Sequence, residues 1–184
     1  MNIGLWVLII IVAALVLWII GMFNRFIVLR NRMDNSLSQI DVQLKRRNDL
    51  IPNLVETVKG YAKHEKTTFQ MVTEARTAIM GAKSMKEKAK ANDQLTGALK
   101  TLFAVAENYP QLKANENFKA LQEELAGTEN KIAYSRQFYN DSVMSFNQAT
   151  QMFPGSVIAG MFTFKQREFF KAGEAEKTPV KVSF

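Results

Sequence analysis

The one histidine of the chain, His64, stands beside Glu65, and further on Glu123, Glu124 and Glu129 form a second acidic group. An imidazole next to a carboxylate is the minimum for proton transfer or metal binding, and paired carboxylates are the minimum for acid–base work. Neither pattern is complete. His64 has no second histidine to share a metal and no acidic residue three or four positions before it, so it reads as a solvated residue at a helix end. Glu123, Glu124 and Glu129 are expected on the outward face of a helix, where water gives paired carboxylates no reason to separate their pKa values. The absence of cysteine excludes thiol catalysis, disulfide scaffolds, iron–sulfur clusters and thiolate zinc sites. No phosphate-cradling glycine loop and no nucleophile elbow occurs. The sequence therefore assigns no catalytic, cofactor-binding or metal-ligating residue.

With 184 residues, 47% hydrophobic and 22% charged, the chain has the size and composition of one ordinary domain. It carries 24 basic against 17 acidic side chains, a net charge of +7. Nucleic acid is not the expected partner: Asp34, Asp41, Asp49 and Glu56 interrupt the basic residues, and no aromatic-studded strand accompanies them. A lipid surface explains the charge more simply.

The strongest signal is the uncharged run IGLWVLIIIVAALVLWIIGMF, from Ile3 to Phe23. Roughly 21 apolar residues at about 1.5 Å each match a hydrocarbon core of about 30 Å, and in lipid only a helix satisfies such a backbone. Trp6 and Trp18 lie toward its two ends, where indole rings favour the headgroups. A cleaved signal peptide would need a basic start and a small-x-small end, and neither is present; without cysteine no lipoprotein forms. Arg25, Arg30 and Arg32 follow the span, then Lys45, Arg46 and Arg47, and no lysine or arginine precedes it. This charge bias predicts an N-terminus outside and a cytoplasmic body. Arg25, Arg30 and Arg32 would also face anionic headgroups, or else simply form a solvated stop-transfer face.

These residues must be positioned by helices. Phe26, Leu29, Met33, Leu37, Ile40, Leu44, Ile51, Leu54, Val58 and Tyr61 keep a three–four spacing in which only Arg47 is polar, so an amphipathic helix is expected to continue from the anchor. Pro52 predicts a kink or restart at 49–51. Further helices are expected over 66–80 and 92–109, with AKSMKEKAKAND between them as a loop or a weak helical continuation. Tyr109-Pro110 stops the third helix. The fourth carries a heptad series, Phe118, Leu125, Ile132, Tyr139, Phe146 and Phe153, alternating with Leu121, Thr128, Ser135, Ser142 and Ala149, and ends at Pro154-Gly155. The fold class is thus all-α: a single N-terminal membrane helix (1–23) continuing into an elongated antiparallel bundle of about four helices (24–154), then an aromatic-rich segment (155–184) whose last residues, 178–184, read as extended.

The runs LRNRMDNSLSQIDVQLKRRNDLIPNLVETVKGYAKHE, AVAENYPQLKANENFKALQEEL and TENKIAYSRQFYND, with the FP at Phe153-Pro154, resemble the LemA family of bacterial membrane proteins. The likeness covers nearly the whole chain. It implies one N-terminal membrane helix with the N-terminus outside, an antiparallel helical body, and no known reaction, cofactor or catalytic residue to carry over. Leu37 stands where the family often has an aromatic, and Thr163 where glycine is common.

Two non-enzymatic functions follow as expectations. The first is a scaffold in the bacterial inner membrane that self-associates and organises or shapes the bilayer. Its expected contacts between copies are the amide face of Asn35, Gln39 and Gln43 and the aromatic segment with Met161, Phe162, Phe164, Phe169 and Phe170. For the amides, the competing reading is an ordinary polar face, and for the aromatic segment a short helix folded back over the bundle. The second function is an adaptor holding another membrane protein, such as a signalling kinase or a protease.

Overall fold

A computed structural model describes residues 3–170, and every regular element among them is helical. The elements are α1 (Ile3–Lys59), α2 (Lys66–Gly81), α3 (Met85–Ala106), α4 (Pro110–Ala114), α5 (Glu116–Gln151) and α6 (Gly155–Met161). The extended reading of 178–184 lies outside the described residues. The chain divides into two compact units, one formed by Met1–Leu37 with Gln137–Phe169 and the other by Ser38–Arg136 with Phe170–Phe184.

The second unit is an antiparallel bundle, as its cross-helix pairs show. Asn115 on the approach to α5 donates to the Tyr61 hydroxyl just past α1, and Arg46 of α1 bonds Glu124 of α5, so the numbering of the two falls in opposite directions. α3 runs parallel to α1, because Asp41 accepts from Lys88 and Arg47 donates to Asn92 and Thr96. α2 returns between them through short connections. The core holds Ile51, Leu54, Val58, Val72, Leu95, Leu99, Leu102, Leu112, Phe118 and Leu125, all buried. Burying each such side chain stabilises by about 1.5–3 kcal/mol.

The first unit pairs the anchor-bearing part of α1 with the returning part of α5 and with α6. Phe26 is fully buried, stacked on Phe164 at 4.8 Å and edge-on to Phe146 at 5.7 Å. Leu29, Met33, Val143 and Ile158 are also buried in this unit.

Three expectations need correction. Of the kink or restart expected at 49–51, the restart does not occur, since α1 is helical through Pro52. Proline removes one backbone donor, and the burial of Ile51, Leu54, Val55 and Val58 around it holds the helix in place. α3 begins at Met85, so most of the stretch between the second and third expected helices is helical. Its start carries a capping box in which Ser84 accepts from the Glu87 N–H while the Glu87 carboxylate accepts from the Ser84 N–H. The spacing Ser84-x-x-Glu87 was the signal for it. Finally α5 stops at Gln151, and Phe153, the sixth position of the heptad series, is 83% exposed.

Two backbone features fix the corner after α5. A Cβ added at Gly155 would collide with the Ala149 carbonyl oxygen, so only glycine allows α6 to turn back this closely. At the other end of α6 the Phe164 N–H bonds the Ala159 carbonyl at 2.9 Å and the Thr163 N–H bonds that of Gly160 at 3.5 Å. This is the paired bonding of a Schellman cap, with Thr163 in its left-handed position at φ 54°. A β-branched residue is strained there, by about 1–2 kcal/mol. Thr163→Gly is therefore expected to raise thermal stability in detergent by about 1 kcal/mol, read as a higher melting midpoint by circular dichroism. Gly155→Ala should lower it by about 1–3 kcal/mol. An unchanged midpoint for both would remove this corner from the stability of the protein.

Candidate membrane and contact surfaces

Every residue from Ile3 to Trp18 is exposed, so none of the described residues covers this part of the apolar run. Trp6 and Trp18 project among these side chains, and Phe23, at the end of the run, is half-buried against Phe162 at 4.8 Å and Phe164 at 5.8 Å. Arg25, Arg30 and Arg32 are exposed in the turns that follow. Arg30 keeps only a 3.9 Å pairing with Asp34, which leaves its charge accessible.

The residues expected to meet other copies fall into different environments. Asn35 and Gln39 are exposed. Gln39 and Gln43 line a groove of about 400 Å³ between α1 and α5 of the second unit, with Ser38, Val42, Lys131, Tyr134 and Ser135. Tyr134 is 74% exposed, and the buried Oε1 of Gln43 accepts no hydrogen bond among the described residues. Met161, Phe162 and Phe169 are exposed. Phe164 and Phe170 are not: Phe164 stacks on Phe26, and Phe170 is buried under the Arg136 guanidinium, 4.6 Å from its ring centre. The aromatic segment thus folds back in part. Tyr139 donates to the Glu168 carbonyl at 3.0 Å, and Asn147 brackets Arg167, donating to its carbonyl and accepting from its N–H. Burial holds the Tyr139 phenol above its ordinary pKa, an effect the nearby Arg167 opposes.

One polar constellation was only half legible. Arg47, the lone polar position in the apolar series, is 3% exposed. It pairs with Glu129 and donates to Asn92 Oδ1 at 2.7 Å and to Thr96 Oγ1 at 3.2 Å. Arg136 approaches Asp93 at 3.6 Å in the same unit. Glu129, expected on an outward face with Glu123 and Glu124, instead turns in to meet Arg47. Burial lowers the pKa of the Arg47 guanidinium, and the charge of Glu129 acts against that shift. A guanidinium so paired remains cationic near neutrality and takes no part in proton transfer. His64 is exposed, and among the described residues no group of three or more His, Asp or Glu is placed to hold a metal ion. Arg47→Ala, which leaves Asn92, Thr96 and Glu129 without their cation, is expected to cost about 3 kcal/mol. In a double-mutant cycle with Glu129→Gln, the two losses should add to clearly more than the loss of the double variant; simple additivity in thermal melts would show the pair to be uncoupled.

An apolar helix open to its surroundings over its first turns, followed by arginines and a helical bundle, defines a membrane-associated protein of the all-α class with one candidate span among the described residues. The sequence pattern of the LemA family matches residues 36–184, and the chain belongs to that family. Magnetosome protein MamQ 2 of Paramagnetospirillum magneticum is 24% identical over 195 residues, covering 92% of this chain and 72% of that protein. The MamQ protein of Magnetospirillum gryphiswaldense is 24% identical over 184 residues, 86% of this chain and 68% of that one. Protein LemA of Metamycoplasma hominis is 26% identical over 168 residues, 89% of this chain and 75% of that one.

Proposed function

We propose that this protein is a non-enzymatic scaffold of the bacterial inner membrane, anchored by α1, which associates with further copies of itself and organises or shapes the bilayer. The observation that carries self-association is the α1–α5 groove of the second unit. There an exposed Tyr134 and Val42 lie beside Gln39 and a Gln43 oxygen that is sheltered from water and still lacks a donor. Exposed Tyr134 and Val42 give a neighbouring copy an apolar surface to cover, and Gln39 and Lys131 give it a polar rim. Exposed tyrosine with amides is the composition of an interface whose strength depends little on salt. The arginines after the span support an N-terminus outside and a cytoplasmic body.

The full chain extracted in mild detergent should run as large, regular homo-oligomers by native mass spectrometry and electron microscopy. Val42→Glu with Tyr134→Ala should dissociate them while leaving helicity intact. Truncation at 155 is a poor substitute, because Ile158 and Phe164 pack in the first unit. A monomer that co-purifies with one unrelated membrane protein would instead favour the adaptor function. Orientation is read separately: with no native cysteine, a Gly81→Cys variant should react with an impermeant maleimide only after the inner membrane is broken. Labelling in intact spheroplasts would reverse the topology.

A further inference from the structure

The corner that joins α5 to α6 has a composition found nowhere else in the body. Between Asp141 and Lys165 the chain carries no charged side chain. Ile158 and Ala159 of α6 are buried in the first unit, yet the opposite face is apolar as well. Val157 and Met161 of α6 are 51% and 62% exposed, and Phe153, just before the helix, is 83% exposed. A short helix apolar on both faces is poorly suited to water, and a contiguous exposed patch of this kind marks a surface that something apolar covers.

The location of the corner identifies the cover. Phe162 packs on Phe23, the last residue of the membrane-spanning run, and a Cβ added at Gly155 would lie in ordinary contact with the Met22 side chain. The exposed face of α6 therefore stands at the level where the span leaves the hydrocarbon. Cations lie one step further from the bilayer centre. Arg30, Lys165 and Arg167 border a groove of about 420 Å³ together with Phe162 and Phe164. Arg30 follows Phe23 by two turns, about 10 Å along the axis, from where its long side chain reaches back into a headgroup layer about 5–7 Å thick. Apolar side chains above and lysine or arginine beneath is the profile of an element that lies in a membrane interface.

We infer that the α5–α6 corner is a second membrane contact: Phe153, Val157 and Met161 enter the acyl region of the same leaflet that α1 leaves, and Arg30, Lys165 and Arg167 meet anionic lipid phosphates. The inference rests on α1 being the membrane anchor. It adds to that anchor a wedge held beside the span, which displaces lipid from one leaflet only and so gives a bilayer-shaping protein a means of acting on curvature.

The test uses the full chain in vesicles of phosphatidylethanolamine and phosphatidylglycerol, with single cysteines introduced as Val157→Cys, Met161→Cys, Ile11→Cys and Gly81→Cys and labelled with a nitroxide. The oxygen-to-nickel collision ratio of the label should be several-fold higher at positions 157 and 161 than at 81, and highest at 11. A water-like ratio at 157 and 161 with a lipid-like ratio at 11 overturns the inference and leaves the anchor in place. Protection from both oxygen and nickel at 157 and 161 overturns it in favour of cover by protein. A water-like ratio at 11 removes the anchor reading itself.

Discussion

Phe26 is the residue on which the first unit depends. It has no exposed surface, and it stacks on Phe164 while meeting the edge of Phe146. Those two rings come from either side of the α5–α6 corner, so one side chain just past the membrane span fixes both the returning helix and the segment that follows α6. Phe146 and Phe164 also meet edge-on at 6.2 Å, which closes the cluster. Aromatic pairs of this geometry contribute about 0.5–1.5 kcal/mol beyond the area they bury. Their greater effect here is positional. Without the cluster, Phe162 would have no reason to remain on Phe23, and the apolar face of α6 would have no fixed height relative to the span.

The second unit is specified differently. Its core is aliphatic and would tolerate sliding of one helix along another, since Leu54, Leu95, Leu99 and Leu102 offer similar surfaces at successive turns. Arg47 breaks that degeneracy. One guanidinium finds Glu129 of α5 together with Asn92 and Thr96 of α3, so a slip by one turn of any of the three helices strands a buried cation. Burying the pair carries a desolvation cost that the Coulomb attraction only roughly offsets, and the energetic argument for the cluster is therefore register more than stability. The exposed pairs Arg46–Glu124 and Lys88–Asp41 point to the same alignment but contribute little, because water screens them.

What could be read from the sequence was what periodicity encodes. The membrane span, the all-α class, the end of the third helix before Pro110 and the buried face of α5 from Phe118 to Phe146 all follow from spacing, because in a helix spacing decides which side chains meet. The failures came where a local rule competed with tertiary packing. Pro52 does not interrupt α1, since the apolar residues around it are held by the bundle. Glu129 lies beside the apolar seam of α5, and a helical-wheel argument has no means of knowing that an arginine from another helix reaches it. Phe153 kept the heptad rhythm but lies beyond the helix end, so its periodicity was accidental. The Ser84–Glu87 box was visible as a local pattern and was masked by the lysine-rich composition around it. The Thr163 departure from the family's glycine gained its meaning only from the backbone, where that position takes a left-handed conformation.

The distribution of unpaired apolar and polar groups then argues for action by contact. The buried Arg47 of the second unit is committed to Glu129, Asn92 and Thr96. The uncovered apolar groups lie at the surface: the anchor, the outer face of α6, and the groove with Tyr134 and Val42. Each calls for a different complement, namely acyl chains, the boundary of a leaflet, and an amide-bearing protein face. If copies pair as proposed, each adds its own corner to the contact with lipid, and the area displaced scales with the number of copies. Under the proposed function, association and contact with lipid are then linked, and each favours the other by the same free energy.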